Sequence, residues 1–153
     1  MRINKLAWVD IDSLCMRLAR KIKTSGFSPD IIIGIGRGGW VPARLLSDLL
    51  AVDELYAMRV KVYSGRKRGN REPALLQDFP GEISGKRILV IDDVSATGES
   101  LELVRKRLSG AKELRTATLH VKPQSKPKPD YYVELTREWM DYPWEKKEIE
   151  DEI

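Results

Sequence analysis

Cysteine and histidine each occur once in these 153 residues. A lone Cys15 excludes an intrachain disulfide and fits a reducing, cytoplasmic setting. One cysteine and one histidine also exclude a zinc site of the Cys/His kind. No apolar run reaches the length of a membrane helix, so no membrane partner is expected. Met1-Arg2-Ile3-Asn4-Lys5 leads into no long apolar region, so a secretory leader is not expected either. Internal repeats and long low-complexity tracts are missing. Neither charge sign dominates: the net charge of +4 suits a phosphate-rich ligand and an ordinary soluble surface equally.

The length predicts one domain, 1–153, with a single core. A third of the residues are charged, with Lys, Arg and Glu prominent, a composition that leans towards thermophiles. The run from Glu145 to Glu152 reads as a solvated end. Apolar residues at Ile11, Leu14, Cys15, Leu18 and Ile22 predict a helix from Trp8 to Lys23, capped by Asp10 or Asp12. Cys15 then serves packing rather than nucleophilic chemistry. Ile31-Ile32-Ile33 begins a core strand, and Val41 to Leu50 reads as a helix with Pro42 in its first turn. Strands are predicted over Tyr56–Tyr63 and Leu114–Val121, with shorter ones around Ala74-Leu75-Leu76 and Tyr131-Tyr132-Val133-Glu134. Ser64 to Pro80 is mostly loop. Strands alternating with helices favour an α/β fold with a mostly parallel sheet and right-handed crossovers.

The most informative stretch is Ile88-Leu89-Val90-Ile91-Asp92-Asp93-Val94-Ser95-Ala96-Thr97-Gly98-Glu99-Ser100. Four apolar residues read as a buried strand with two carboxylates at its C-terminal end. A Ser/Thr/Gly loop follows, then helical spacing from Leu101 to Leu108. Ligands of open α/β sheets bind at the carboxyl ends of strands. A loop entering a helix N-terminus offers free N–H groups and a positive dipole end to a phosphate. Asp92 and Asp93 stand beside that cradle, placed for ribose hydroxyls or a metal ion. A phosphorylated sugar satisfies all three features.

This stretch resembles the signature by which type I phosphoribosyltransferases bind PRPP (5-phosphoribosyl 1-diphosphate). The resemblance implies that Asp92 and Asp93 contact the ribose hydroxyls and Mg2+. It implies that Val94, Ser95, Ala96, Thr97, Gly98, Glu99 and Ser100 wrap the 5′-phosphate.

A second loop, Gly34-Ile35-Gly36-Arg37-Gly38-Gly39, joins a strand to a helix. Its third glycine is misplaced for a dinucleotide fingerprint, and no Gly-Lys-Ser/Thr follows to make a Walker loop. Glycines let backbone approach phosphate oxygens closely, and Arg37 supplies charge-assisted bonds. The loop is similar to the family's diphosphate loop, with Arg37 and Gly38 holding the leaving group. The basic segment Arg59–Arg71 falls where the family has a loop that closes over the site, with Arg71 as the diphosphate contact.

The C-terminal segment, with Lys122-Pro123 and Asp130-Tyr131-Tyr132 upstream, resembles the hood of xanthine–guanine phosphoribosyltransferases and their archaeal relatives. The hood is formed mainly by 122–145. The resemblance implies that Lys122 reads a 6-oxo group, Trp139 stacks on the purine, and backbone at Met140 and Asp141 meets the 2-position. Trp144 reads instead as a core anchor.

One position departs from the pattern. The 6-oxopurine enzymes usually carry an Asp before Thr-Gly, facing purine N7, and here Ala96 stands there. Many adenine enzymes have Ala at that place, whereas the Lys122 ammonium repels a 6-amino group. The resemblance therefore implies a pentosyltransferase of nucleotide salvage that moves phosphoribose from PRPP to a purine, 6-oxopurine favoured. An adenine phosphoribosyltransferase and a non-catalytic PRPP or nucleotide sensor are the alternatives. A nucleic-acid role lacks a recognisable binding helix pair, and a pyrimidine enzyme fits the hood poorly. A homodimer or larger homo-oligomer is expected.

Overall fold

A computed structural model describes residues 2–63 and 69–146. A six-stranded sheet carries the fold. It consists of β2 (Ile31–Gly36), β3 (Leu55–Lys61), β4 (Ala74–Gln77), β5 (Arg87–Ser95), β6 (Glu113–Val121) and β7 (Tyr131–Leu135), in the order β4-β3-β2-β5-β6-β7. All neighbours are parallel except β4, which pairs antiparallel with β3 at the edge. Helix α1 (Trp8–Thr24) leads into β2, α2 (Trp40–Leu49) carries the crossover from β2 to β3, and α3 (Glu99–Arg107) that from β5 to β6. A separate two-stranded parallel pair joins β1 (Ile3–Lys5) to β8 (Trp139–Asp141).

The central strands are apolar on both faces because both faces are covered. Ile32, Leu89 and Ile91 turn towards α1 and α2, where they meet Ile11, Leu14, Leu18 and Leu46. Ile31, Ile33, Ile35, Ile88 and Val90 turn the other way, onto Leu101, Val104 and Leu108 of the α3 segment. Strand alternation thus sorts one continuous run into two cores. Cys15 belongs to the first, 1% exposed, and burial pushes its thiol pKa up to about 12. It is a packing residue. The Asp10 carboxylate accepts the Ala7 N–H at 2.8 Å, so Asp10, at the third helical position, caps α1.

Three features differ from expectation. Strand β5 runs through both aspartates to Ser95 instead of ending before them, because Asp92, Val94 and Ser95 continue the pairing with β6. Helix α3 correspondingly starts at Glu99, two residues before Leu101. Strands β1 and β8 are an addition: three residues each are too short for a periodic signal, and each is a strand only because the other pairs with it. Among the described residues no helix is long and apolar enough to cross a membrane.

Leu89 is fully buried at the middle of the sheet. Leu89→Ala is expected to lower unfolding stability by about 2–5 kcal/mol in urea titrations, through lost transfer energy and an unfilled cavity. Val9→Ala, at a residue 73% exposed, serves as the control and should change little.

Candidate active site

The two glycine-containing loops meet at the carboxyl end of β5. Gly39 lies so close to that strand that a Cβ there would stand 2.4 Å from the Ile91 carbonyl oxygen. A Cβ on Gly38 would stand 2.3 Å from Asp93 Oδ2. Only glycine fits at either place, and the Arg37–Gly38 backbone rests directly on the Asp93 carboxylate. Around this contact lies a cavity of about 640 Å³, lined by Arg37, Gly38, Trp40, Val41, Asp93, Trp144, Glu145 and Lys146. Two cations and two carboxylates thus face one space.

Asp92 and Asp93 each satisfy a main-chain donor. Asp92 Oδ1 accepts the Asp93 N–H at 2.8 Å, and Asp93 Oδ1 accepts the Val94 N–H at 2.7 Å. Asp92 is partly exposed and Asp93 only 8% exposed. Burial, then the neighbouring Asp93 charge, raises the Asp92 carboxyl well above its ordinary value of 3.8. Burial also raises Asp93, partly offset by its hydrogen bonds. Glu145 is raised as well, by desolvation and by Asp93. Adjacent carboxylates that resist ionisation fit a cation or hydroxyl donors, which would relieve both costs. Among the described residues no cluster of three or more His, Cys, Asp or Glu forms a complete metal cage. Two adjacent carboxylates suit an ion such as Mg2+, which is commonly held by one or two carboxylates plus ligand oxygens.

Ala96, Thr97 and Gly98 form the turn between β5 and α3. Gly98 takes φ of 91°, and a Cβ there would meet the Lys126 carbonyl oxygen at 2.4 Å. The Thr97 hydroxyl accepts the Glu99 N–H at 3.3 Å, and Ser100 lies in the first turn of α3. The turn is fastened from behind by the Pro/Lys connection. Lys122 N–H donates to Ser95 O and Lys126 N–H to Thr97 O, both at 2.9 Å. The Ser95 and Ser125 hydroxyls meet at 2.7 Å. The N-terminus of α3 thus lies at the end of the sheet, where an anion site is expected.

The Lys122 ammonium donates to the Glu138 carbonyl, next to Trp139, and desolvation lowers its pKa. The Trp139 ring is 54% exposed and stands outside the cavity. Trp139 N–H bonds Arg2 O and Asp141 O accepts Leu6 N–H, both at 2.9 Å. Alternate residues of a strand direct their peptide groups to opposite edges, so the Met140 peptide turns away from β1. The Asp141 carbonyl is engaged by Leu6; the Met140 carbonyl is the one directed away from that pairing. Met140's side chain is core.

The structure therefore brings Arg37, Gly38 and Asp93 together around one space, and Lys122 beside Trp139 in a second place. Arg71 lies outside the cavity, its guanidinium 5.2 Å from the Tyr63 ring. Arg66, Lys67 and Arg68 fall outside the described residues. Trp144 does pack on the core, stacked on Tyr142 at 4.8 Å and 6°, but it also lines the cavity. Trp40, Val41, Glu145 and Lys146 are cavity residues without a legible signal. Glu145 and Lys146 look in sequence like the start of a solvated charge run.

A family model described as a phosphoribosyl transferase domain matches residues 7–149. The chain belongs to this family. Among curated relatives, a xanthine-guanine phosphoribosyltransferase from Cereibacter sphaeroides is 32% identical over 118 residues, covering 74% of this chain and 68% of that protein. A purine phosphoribosyltransferase structure from Pyrococcus horikoshii has a TM-score of 0.85 at 38% identity and covers 96% of both chains. A hypothetical protein from Neisseria gonorrhoeae with bound ppGpp has a TM-score of 0.80 at 28% identity, covering 97% of this chain and 92% of that one.

In this phosphoribosyltransferase the raised Asp92 has a measurable consequence. A carboxyl with a raised folded-state pKa stabilises the fold most below its unfolded value, and that contribution is lost as pH rises through the folded value. At a pH above its ordinary unfolded value the raised Asp92 weakens the ligand-free fold. Asp92→Asn should therefore raise the urea midpoint at about pH 7, and the gain should vanish near pH 3, where wild-type Asp92 is protonated in both states.

Proposed function

We propose that the chain transfers the 5-phosphoribosyl group of PRPP to a ring nitrogen of a purine base and releases diphosphate, with a 6-oxopurine favoured. The observation that carries this reading is the convergence of Arg37, Gly38 and Asp93 on one cavity beside the Ser95–Ser100 turn. A sugar with a phosphate at one end and a diphosphate at the other matches that arrangement. The names of the similar proteins support a purine acceptor.

Asp92 and Asp93 accept hydrogen bonds from the ribose hydroxyls and hold Mg2+. Backbone N–H groups and the hydroxyls of Ser95, Thr97 and Ser100 hold the 5′-phosphate, with Val94, Ala96, Gly98 and Glu99 shaping the loop. Arg37 and Gly38 receive the diphosphate, and Arg71 approaches it from the basic segment. Lys146, on the cavity wall, adds a second positive charge. Mg2+ with PRPP supplies charge neutralisation on the departing diphosphate. The bond to diphosphate breaks ahead of bond formation, leaving an oxocarbenium-like sugar, and water must be kept out at that moment. Trp139 stacks on the base and fixes its angle of attack. Lys122 turns from the Glu138 carbonyl to a 6-oxo group, and the Met140 carbonyl meets the 2-position. Asp141 contributes through its position in the strand, since its carbonyl bonds Leu6.

Ala96 leaves purine N7 without a carboxylate, so deprotonation depends on the acidity of the substrate or on water. The protein works in the cytoplasm as a homodimer or larger homo-oligomer in purine salvage. Likeness to a protein solved with ppGpp bound favours a nucleotide-sensing role as the second reading.

The test is product formation from PRPP and Mg2+ with adenine, hypoxanthine, guanine and xanthine supplied separately and resolved by chromatography. One or more 6-oxopurine nucleotides are expected. Adenylate alone would mean that the Ala96 loop outranks the hood, and PRPP binding without product would favour the sensor. Ala96→Asp should raise 6-oxopurine turnover by about a hundredfold, the lower end of general-base effects. An unchanged or lower rate would contradict the missing-acceptor account.

A further inference from the structure

Behind the acidic pair lies a buried polar chain that the proposed reaction leaves unused. The pairing of β5 with β6 steps from Asp92–Thr118 to Val94–His120, passing over Asp93. The Asp93 carbonyl instead accepts the phenol of Tyr142 at 3.3 Å. Tyr142 is 2% exposed and follows β8 directly, so this bond ties the hood to the strand end that carries both aspartates. The same phenol oxygen lies 2.8 Å from His120 Nδ1. His120 is fully buried, and its Nε2 sits 3.5 Å from Glu134 Oε2. Glu134 in turn is paired with Arg17 of α1 at 3.0 Å.

Burial lowers the His120 pKa and raises that of Tyr142, so a neutral imidazole meets a protonated phenol. A neutral imidazole carries one N–H and a phenol carries one hydrogen. With the proton on Nδ1, imidazole donates to the phenol oxygen and the phenol donates to Asp93. With it on Nε2, the phenol hydrogen turns to Nδ1 and the Asp93 carbonyl loses its donor. His120 and Asp93 thus compete for a single hydrogen.

We propose that Tyr142 is a positioning residue for the sugar site: its hydroxyl holds the Asp93 peptide in register with the hood, and His120 competes for that hydroxyl. The inference rests on the phosphoribosyltransferase reading and adds a link between the base-binding hood and PRPP affinity. A hood residue with only local importance would alter use of the base. Tyr142 acting through Asp93 alters use of PRPP.

Tyr142→Phe keeps the ring that stacks on Trp144 and removes only the hydroxyl. The measurements are calorimetric binding of PRPP with Mg2+ and steady-state KM for each substrate. The expected result is PRPP binding weakened about fivefold, the effect of one ordinary hydrogen bond, with KM for the base within about twofold of wild type. His120→Leu removes the competitor and leaves the phenol to Asp93 alone, so PRPP affinity should be retained or improved. Unchanged PRPP affinity in Tyr142→Phe, or equal losses for PRPP and base, would overturn the proposal. If Tyr142→Phe does not fold, a fivefold loss in His120→Leu overturns it and retained affinity supports it. Failure of the wild-type protein to bind PRPP would instead overturn the phosphoribosyltransferase reading itself.

Discussion

Two carboxylates in succession at the end of a buried strand are an electrostatic problem that the surrounding structure is arranged to hold, not to remove. Burial raises both Asp92 and Asp93, and each leans on the next main-chain N–H instead of a cation. Ordinary stabilisation would place an arginine between them. Here the guanidinium of Arg37 belongs to a separate loop across a cavity, and the carboxylate of Asp93 is pressed against glycine. An unpaired buried charge weakens a fold, and such sites concentrate where a ligand relieves the cost.

The other elements are explained by what that pair needs. A strand end must be reached by two loops without side-chain collision, so glycine is required at 38, 39 and 98, each within 2.4 Å of a foreign atom if a Cβ were present. The α3 N-terminus must stay open beside the acids, so the turn is braced from behind by Lys122, Ser125 and Lys126. The hood must hold its place over the strand, and it does so through β1 pairing and through Tyr142. Rigid strands thus deliver chemistry from several loops to one point, at the carboxyl ends of the strands where open α/β sheets bind ligands.

Much of this was legible because it depends on local chemistry. The Ile-Leu-Val-Ile run, the acid pair and the Thr-Gly turn each restrict the backbone, and their order specifies a strand, a site and a helix entry. The Gly-Arg-Gly-Gly loop was readable for the same reason. Strands β1 and β8 were not, since three residues carry no period and their pairing spans almost the whole chain. Strand β5 outran its expected end because pairing with β6 overrides the poor strand propensity of aspartate. Trp144 read as a core anchor and proves to serve core and cavity at once, because a large ring has two faces to cover. Lys146 was hidden in a charge run, where position in space and not residue type decides its role.

Asp92 and Asp93 are held in an unfavourable state that Mg2+ and the hydroxyls of a bound sugar relieve. Carboxyl carbon NMR titration of the two residues, without ligand and with saturating PRPP and Mg2+, tests this most directly. Asp92 should titrate well above the ordinary aspartate range in the free protein and fall when PRPP and Mg2+ bind. Ordinary titration of both residues in the free protein, unchanged by the ligand, would contradict it.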